Sequence, residues 1–315
     1  MAGALGARGW RVVVSGRSPV KVGAALDRLQ EAHPSGRFEP GIVDLNRLAS
    51  VRSFAEDLSE RLTSLDILLN NAGIMAPPEG RTEDGFESQF GVNFVAHFAL
   101  TGRVLPLLEA APAARIVTLS SIAHRGATLD FGSFRLEKRY DAWRAYNQSK
   151  LADLIFALEL DRQLRAKGSP VRSLAAHPGV SQTELTRNLG AVPPGIHFMT
   201  AADGAAPALV AATSPKASGG QYWGPDGPGE RSGQPGLASI STSLVLTALN
   251  MLALSFAMRG IPVGTAYAVW TGLGAVGITL LGVVFFQDPL GTARLGFLAL
   301  IIVGVVGLKL STQGG

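Results

Sequence analysis

The sequence predicts an α/β fold with a doubly wound parallel sheet, followed by a three-helix transmembrane segment. Short β-branched runs alternate with helical patterns over the first 220 residues, which is typical of a parallel sheet with helices on both faces. Three long apolar stretches follow residue 239. The chain has 28 basic and 24 acidic residues, yet only four charged residues lie between positions 240 and 310. This scarcity of charge indicates lipid around the last part.

Each element of the predicted sheet has its own local pattern. The predicted strands span residues 11–15, 42–44, 65–70, 114–121 and 171–176. The predicted helices span residues 19–32, 48–62, 86–108 and 141–167. In open parallel sheets, ligands bind at the carboxyl ends of the strands. We therefore expect functional residues at Asn70, Ser121 and positions 177–179.

The rest of the chain is predicted as a connection and a membrane domain. Residues 213–238 are rich in Gly, Pro and Ser, which predicts a loop and then a linker. This divides the chain into domains 1–236 and 237–315, with transmembrane helices at about 240–258, 261–287 and 291–309. The chain has no cysteine, so disulfides and thiolate metal sites are excluded, and no metal site is predicted. A net charge of +4 without a basic, aromatic stripe predicts no nucleic-acid partner.

The strongest candidate for chemistry is a tyrosine and a lysine one helical turn apart. Tyr146 and Lys150 are separated by four positions and therefore share one face of the predicted helix. A lysine ammonium favours the phenolate form of a neighbouring tyrosine, and such a tyrosine can exchange a proton with a substrate oxygen. Ser121, at the end of a predicted strand, can hydrogen-bond the same oxygen. A Tyr–Lys pair alone is more often a surface pair, so this interpretation depends on further motifs.

Those motifs occur in a fixed order along the chain. They are the NNAG sequence at 70–73, Asn93, the Ser120–Ser121 pair and the Pro178–Gly179 pair. With them, residues 1 to about 236 resemble the short-chain dehydrogenase/reductase family, and within it the retinol-dehydrogenase-like branch. LDILLNNAGIM, SSIAHR, EKRYDAWRAYNQSKLADLIF and GGQYWGPDG carry this resemblance, as does the 25-residue spacing from Ser121 to Tyr146. The resemblance implies a Rossmann-like sheet and a nicotinamide-dependent oxidoreductase for a carbonyl or alcohol on a lipophilic small molecule.

The resemblance also implies a role for individual residues. Tyr146 is the expected general acid/base, Lys150 its activator and a ribose ligand, and Ser121 the residue that orients the substrate oxygen. Asn93 is expected to support the proton relay by kinking its helix around a water. The implied cofactor-binding residues are Arg17, Asp44, Leu45, Asn71, Ala72, Gly73, Tyr146, Lys150, Pro178, Gly179 and Thr183. An arginine at position 17, directly after the first predicted strand, suits a 2′-phosphate. NADP is therefore the expected cofactor, with NAD as the alternative.

One part of the family pattern has no counterpart. The family's first strand and its TGxxxGxG phosphate-binding turn are missing, and residues 1–9 resemble the tail of the helix that follows this turn. The sheet is therefore expected to lack a central strand. The cofactor diphosphate is expected to lack its cradle of backbone N–H groups at a helix N-terminus.

The C-terminal segment resembles a second family. Residues 239–311, with the marker GTAYAVWTGLG, resemble the last three of four helices in the small multidrug resistance transporters. Tyr267 and Trp270 match aromatic residues that line that family's chamber for lipophilic cations; otherwise they form an interfacial aromatic belt. The membrane-embedded glutamate of that family's first helix has no counterpart. That family works as dimers, so a homo-oligomer or a transporter-like partner subunit is expected.

Three functional hypotheses follow from the sequence. The first is an oxidoreductase tethered to the cell membrane by several helices, with its catalytic domain in the cytoplasm. The second is a subunit of a small multidrug resistance-like transporter. The third is a non-functional fusion of two truncated proteins, since each half lacks the first element of the family that it resembles.

Overall fold

The computed structural model describes residues 1–183, 185 and 198–239, which belong to one compact unit. Its strands are β1 (Arg11–Gly16), β2 (Arg37–Ile42), β3 (Ile67–Asn70), β4 (Arg115–Leu119), β5 (Arg172–Ala176), β6 (Tyr222–Pro225) and β7 (Pro235–Leu237). Its α-helices are α1 (Ala2–Gly6), α2 (Pro19–Ala32), α3 (Leu48–Arg61), α4 (Ala96–Glu109), α5 (Ala142–Ala166) and α6 (Ala201–Thr213). A π-helical segment, Phe90–Val95, leads directly into α4. The three predicted transmembrane helices, with Tyr267 and Trp270, lie outside the described residues.

The strands form two sheets. β1 and β2 pair in parallel, while β3, β4, β5 and β6 form a second parallel sheet to which β7 adds antiparallel. Within the described residues, no strand pairs with the other edge of β1 or of β3. Nevertheless, Val13 of β1 and Leu68 of β3 pack against the same apolar cluster. Among the described residues, the two sheets are therefore joined through this apolar cluster and not through a shared strand.

Helices cover both faces of the larger sheet, as a doubly wound fold requires. Successive residues of a strand point to opposite faces, and β4 shows the consequence. Ile116 packs with apolar residues of α3 and α4, whereas Val117 packs with alanines of α6. Of the described residues, one helical stretch, Phe90–Glu109, is long and apolar enough to cross a membrane. Because it packs against α3 and α5, we assign it to the protein core.

Local capping decides where the site-bearing helices begin. The helix predicted from residue 86 starts later, because the buried Glu87 carboxylate accepts hydrogen bonds from the backbone N–H groups of Gln89 (2.8 Å) and Phe90 (2.7 Å). This is how an acidic side chain satisfies unpaired donors at a helix start. Asp141 caps α5 in the same way by accepting from the N–H of Arg144 (2.8 Å).

Two predicted elements are wrong. The strand predicted at 42–44 is instead β2, Arg37–Ile42, whose Pro40 and Gly41 are uncommon in strands. Residues 213–238 are not merely a loop and linker, since they contain β6 and β7. Tyr222 of β6 is buried. Pairing with the sheet therefore orders this segment, although its glycine and proline content is typical of a loop.

Candidate active site

The carboxyl ends of β3, β4 and β5 meet at one edge of the larger sheet. In the parallel register, Asn70 of β3 pairs with Thr118 of β4, and Leu119 of β4 pairs with Ala176 of β5. The residues that follow β4 and β5 are therefore neighbours. This confirms the expected clustering of Asn70, Ser121 and residues 177–179.

Tyr146 and Lys150 lie on the buried face of α5. Their exposed fractions are 4% and 5%, so this is not a surface pair. Trp143, one turn before Tyr146, packs its ring edge-to-face with the Tyr146 ring at 6.2 Å between centroids. The helix thus buries the Tyr146 phenol and the Lys150 ammonium together, with the partly exposed Trp143 in contact with the phenol ring.

The Lys150 ammonium is anchored at two points. It donates to the backbone carbonyl of Leu119 (2.9 Å), at the end of β4, and to Asp153 Oδ2 (2.8 Å). Burial alone would lower the Lys150 pKa, but Asp153, and then Tyr146, raise it above its usual value. The ammonium therefore stays charged next to the tyrosine. The sequence reasoning missed Asp153, although its i+3 spacing from Lys150 places it on the same helix face.

Asn93 links three parts of the site from within the π-helical segment. Its Oδ1 accepts from the Ile74 N–H (2.8 Å), and its Nδ2 donates to the Ile74 carbonyl (3.0 Å) and to Ser149 Oγ (3.0 Å). Ser149 in turn donates to the Tyr146 carbonyl (2.8 Å). The expected irregularity of the Asn93 helix is thus present as a π-helical segment, a feature often found at functional sites.

Ser121 begins a single 3-10 turn, Ile122–His124. Its Oγ accepts from the N–H of Ala123 (3.2 Å), and its carbonyl contacts His124 Nδ1 at 2.6 Å. The His124 ring packs edge-to-face on Tyr222 of β6. These contacts fix the Ser121 backbone, while the hydroxyl hydrogen of Ser121 is available to donate.

Gly73 provides the test of whether a nicotinamide cofactor fits this edge. A Cβ at this position would lie 3.2 Å from Asn93 Oδ1 and 3.7 Å from Lys150 Nζ. The glycine thus keeps open the space next to the lysine, where the family's cofactor ribose is expected. Asn71 and Ala72, which precede Gly73, are exposed. The residues present fit the nicotinamide end.

The adenosine and diphosphate ends differ in what the chain supplies. Arg17 is exposed directly after β1. Asp44 accepts from the Asn46 N–H (3.0 Å), and Leu45 packs on the core. All three lie at the ends of β1 and β2, as an adenosine site requires. Between the sheet edges formed by β1 and β3, the described residues contain no further strand, and no glycine-rich turn there could hold a diphosphate.

The segment after β5 lies at the same edge of the sheet, next to the residues that follow β4. Gly179 has a φ of +62°, and a Cβ there would lie 2.5 Å from the Arg231 carbonyl, so only glycine fits. Pro178 is partly buried, and Thr183 is exposed. His177 is fully buried and contacts Glu230 (3.1 Å), which also pairs with Arg125 (2.6 Å). His177 is thus held in a buried network with Glu230 and Arg125.

Two buried histidines predict how stability depends on pH. Burial lowers the pKa of His97 and of His177 to about 4 each. Both stay neutral in the fold, while the unfolded chain protonates near pH 6.5. The contribution of each neutral histidine to the free energy of unfolding is therefore fully present above pH 6.5. It falls by about 1.4 kcal/mol per pH unit between pH 6.5 and 4. Burial raises the pKa of Asp153 to about 6, which opposes one histidine below pH 6.

We expect the free energy of unfolding to fall on acidification from pH 6.5 to 4, because the two histidines together outweigh the opposing contribution of Asp153. Urea unfolding of the full chain at several pH values measures it. His97→Gln retains a donor for the Asn93 carbonyl, which His97 Nδ1 contacts at 2.6 Å, but cannot titrate. It should flatten the slope by about one histidine's share. An unchanged slope in this variant would contradict the assignment.

Comparison with known proteins agrees with this geometry. The family model "short chain dehydrogenase" matches residues 1–193. The chain belongs to the short-chain dehydrogenase family. Human retinol dehydrogenase 13 is 41% identical over 187 residues, which cover 59% of this chain and 56% of that protein. Mouse polyprenol dehydrogenase is 42% identical over 186 residues, covering 58% and 56%. The chain thus spans little more than half the length of these relatives, and they confirm the resemblance to the retinol-dehydrogenase-like branch.

A solved structure and a second family model complete the comparison. The Pseudomonas aeruginosa RhlG/NADP active-site complex superposes with a TM-score of 0.57 at 25% identity, covering 70% of this chain and 87% of that one. The family of this chain uses NAD or NADP. Residues 231–301 match the family model "Small Multidrug Resistance protein", which confirms the second resemblance.

Proposed function

We propose that this chain is an NADP-dependent oxidoreductase that interconverts a carbonyl and an alcohol on a lipophilic small molecule while tethered to the membrane. The observation that carries the proposal is the buried pairing of Tyr146 and Lys150 on α5, with the ammonium anchored to the end of β4. Ser121 follows that strand end by two residues. In this proposal, Tyr146 as proton donor, Lys150 as positive charge and Ser121 as substrate ligand lie at the sheet edge where this fold binds its ligands.

The proposed chemistry assigns a proton transfer to Tyr146. A bound nicotinamide cofactor supplies or accepts the hydride. In carbonyl reduction, the Tyr146 hydroxyl donates its proton to the substrate oxygen, and the Ser121 hydroxyl donates a hydrogen bond to the same atom. Lys150, held charged beside Tyr146, stabilises the phenolate that forms. Oxidation of the alcohol reverses these steps.

The other site residues position this set. Asn93 fixes the Ile74 backbone and Ser149, and so holds the loop after β3 against α5. Gly73 leaves room beside the Lys150 ammonium for a ribose, with Asn71 and Ala72 preceding it. Pro178, Gly179 and Thr183 border the nicotinamide side, and Asp44 and Leu45 contact the adenine in this proposal.

NADP preference is proposed from Arg17, with the NADP complex of the structural relative in support. Arg17→Glu is expected to weaken NADPH binding about 10- to 100-fold, because a charge-assisted contact to the 2′-phosphate becomes a repulsion. NADH binding should change less than about threefold, since NADH lacks that phosphate. Arg28→Glu makes the same charge change at an exposed position of α2. Titration of cofactor fluorescence measures both, and equal losses for NADPH and NADH would contradict the proposal.

A lipophilic substrate is proposed from Trp143 and from the substrates in the names of the relatives, retinol and polyprenol. Trp143 packs against Tyr146 yet is 47% exposed, so it offers an apolar surface beside the reacting phenol. Trp143→Ala is expected to raise KM about tenfold for a long-chain aldehyde, since covering part of a tryptophan contributes about 1.4 kcal/mol. KM for a short aldehyde should stay within about twofold.

The control for Trp143 is Phe98, a 56% exposed aromatic residue on α4. Phe98→Ala should leave both KM values near wild type. Steady-state kinetics with aldehydes of increasing chain length measure how KM of each variant depends on chain length. A rise in KM that is independent of chain length in Trp143→Ala would argue against an apolar subsite.

Membrane attachment is proposed from the C-terminal part of the chain. The match to the small multidrug resistance model and the three apolar stretches support a domain 237–315 that crosses the cell membrane several times. Domain 1–236 then lies in the cytoplasm, where NADPH is available. A transporter-like subunit is the alternative, and its candidate residues, Tyr267 and Trp270, lie outside the described residues.

A further inference from the structure

Lys150 has an unexpected neighbour. Asp153, with an exposed side-chain fraction of 1%, forms an ion pair with the Lys150 ammonium at 2.8 Å. Its other oxygen, Oδ1, has no hydrogen-bond partner among the described residues. Leaving a carboxylate oxygen buried and unpaired costs free energy. The one polar contact that Asp153 makes is thus with the lysine on which the proposed chemistry depends.

The Asp153 carboxylate changes the electric field at the phenol. Lys150 acts electrostatically on Tyr146 through a positive charge, and Asp153 places a negative charge 2.8 Å from that ammonium. In a buried site, opposite charges at this distance cancel much of each other's effect on a third group. The position of Lys150 is also set by this pair, because its ammonium is held between Asp153 and the Leu119 carbonyl.

Few other charges act on this pair. On α4, His97 interacts with Lys150, and its pKa is lowered to about 4 by burial, so it is neutral above pH 5. On β6, Tyr222 interacts with Tyr146, and burial raises its pKa. β4 contributes the Leu119 carbonyl, which does not titrate. Asp153 is therefore the negative charge that faces the Tyr146–Lys150 pair at neutral pH.

We propose that Asp153 is a positioning residue that holds Lys150 in place and moderates its effect on Tyr146. This inference rests on the proposed function. The charge of Asp153 offsets part of the field that the Lys150 ammonium exerts at the Tyr146 hydroxyl. Removing the charge while keeping the shape therefore shifts the formation of phenolate to lower pH.

The test is an ultraviolet phenolate titration of the full chain, which requires neither cofactor nor turnover. The chain has four tyrosines, and the component that is lost in Tyr146→Phe belongs to Tyr146. In Asp153→Asn, the amide oxygen can still accept from Lys150. The midpoint of the Tyr146 component is expected to fall by about one pH unit. A constant or higher midpoint would overturn the proposal.

Asp161→Asn is the matched control. Asp161 is a second buried carboxylate on α5, paired with Arg165 (2.7 Å), and lies eight residues, or about 12 Å, further along the helix. It should leave the Tyr146 midpoint unchanged, and an equal shift in both variants would overturn the proposal. Asp153→Glu retains the charge and should shift the midpoint by less than half as much as Asp153→Asn. If Asp153→Asn does not fold, Asp153→Ser removes the charge in its place, and a midpoint that does not fall in that variant would overturn the proposal.

Kinetics separate this inference from the proposed function. The acidic limb of the kcat/KM profile for alcohol oxidation should move with the titration midpoint, and the two proteins are compared above pH 7, where the Asp153 carboxylate of the wild type is charged. A wild-type chain without turnover would contradict the proposed function. The phenolate titration would still decide the role of Asp153.

Discussion

Tyr146→Phe is expected to lower kcat by about 100- to 10,000-fold, the usual contribution of a positioned general acid. The substitution removes only the hydroxyl, and the phenyl ring can keep its edge-to-face contact with Trp143. Affinity for NADPH should therefore stay within about threefold, because the ring and the Lys150 anchor are unchanged. Steady-state kinetics together with direct titration of NADPH measure both quantities.

Tyr140→Phe is the matched control for this loss. The Tyr140 hydroxyl donates to the Pro77 carbonyl (2.8 Å) and accepts from Gln89, so it is a structural phenol. Its loss should lower stability by about 1 kcal/mol and leave kcat near wild type. Comparable turnover in Tyr146→Phe and wild type would remove Tyr146 from the proposed chemistry.

Lys150→Met has the second large effect, on stability as well as turnover. The substitution leaves the Asp153 carboxylate buried without its ion-pair partner, which typically costs about 3–5 kcal/mol. Turnover should fall at least about 100-fold, since nothing else supplies a positive charge next to Tyr146 in this proposal. Urea unfolding at pH 7.5 and kinetic assays measure the two effects independently.

A double variant separates these two effects. Lys150→Met with Asp153→Leu replaces the ion pair by apolar side chains, a change that is often neutral or stabilising. It should recover most of the lost stability and none of the lost turnover. Recovery of turnover in the double variant would mean that Lys150 acts only by holding the helix in place. Failure to recover stability would mean that the buried pair is not the source of the loss.

The sequence predicted the features that depend on local pattern. The Tyr146–Lys150 spacing fixes a shared helix face, and the strand predicted over residues 114–121 places Ser121 at the sheet edge. Each of these follows from periodicity or from order along the chain.

The features that were missed depend on contacts between distant parts of the chain. β2 contains Pro40 and Gly41, and pairing with β1 defines it as a strand. β6 lies in a segment rich in glycine and proline, and pairing with β5 defines it. Asp153 resembles an ordinary polar helix residue until the fold buries it beside Lys150. Local pattern carries no information about such burial.

We predict that this chain transfers hydride between a nicotinamide cofactor and a carbonyl, with Tyr146 as the proton donor. The test incubates the full chain with NADPH that carries deuterium at both C4 positions and a long-chain aldehyde, and analyses the product by mass spectrometry. We predict an alcohol that carries one deuterium on the former carbonyl carbon, formed by the wild type and strongly reduced in Tyr146→Phe. Absence of labelled alcohol with the wild-type chain, or equal labelling by both proteins, would contradict the account.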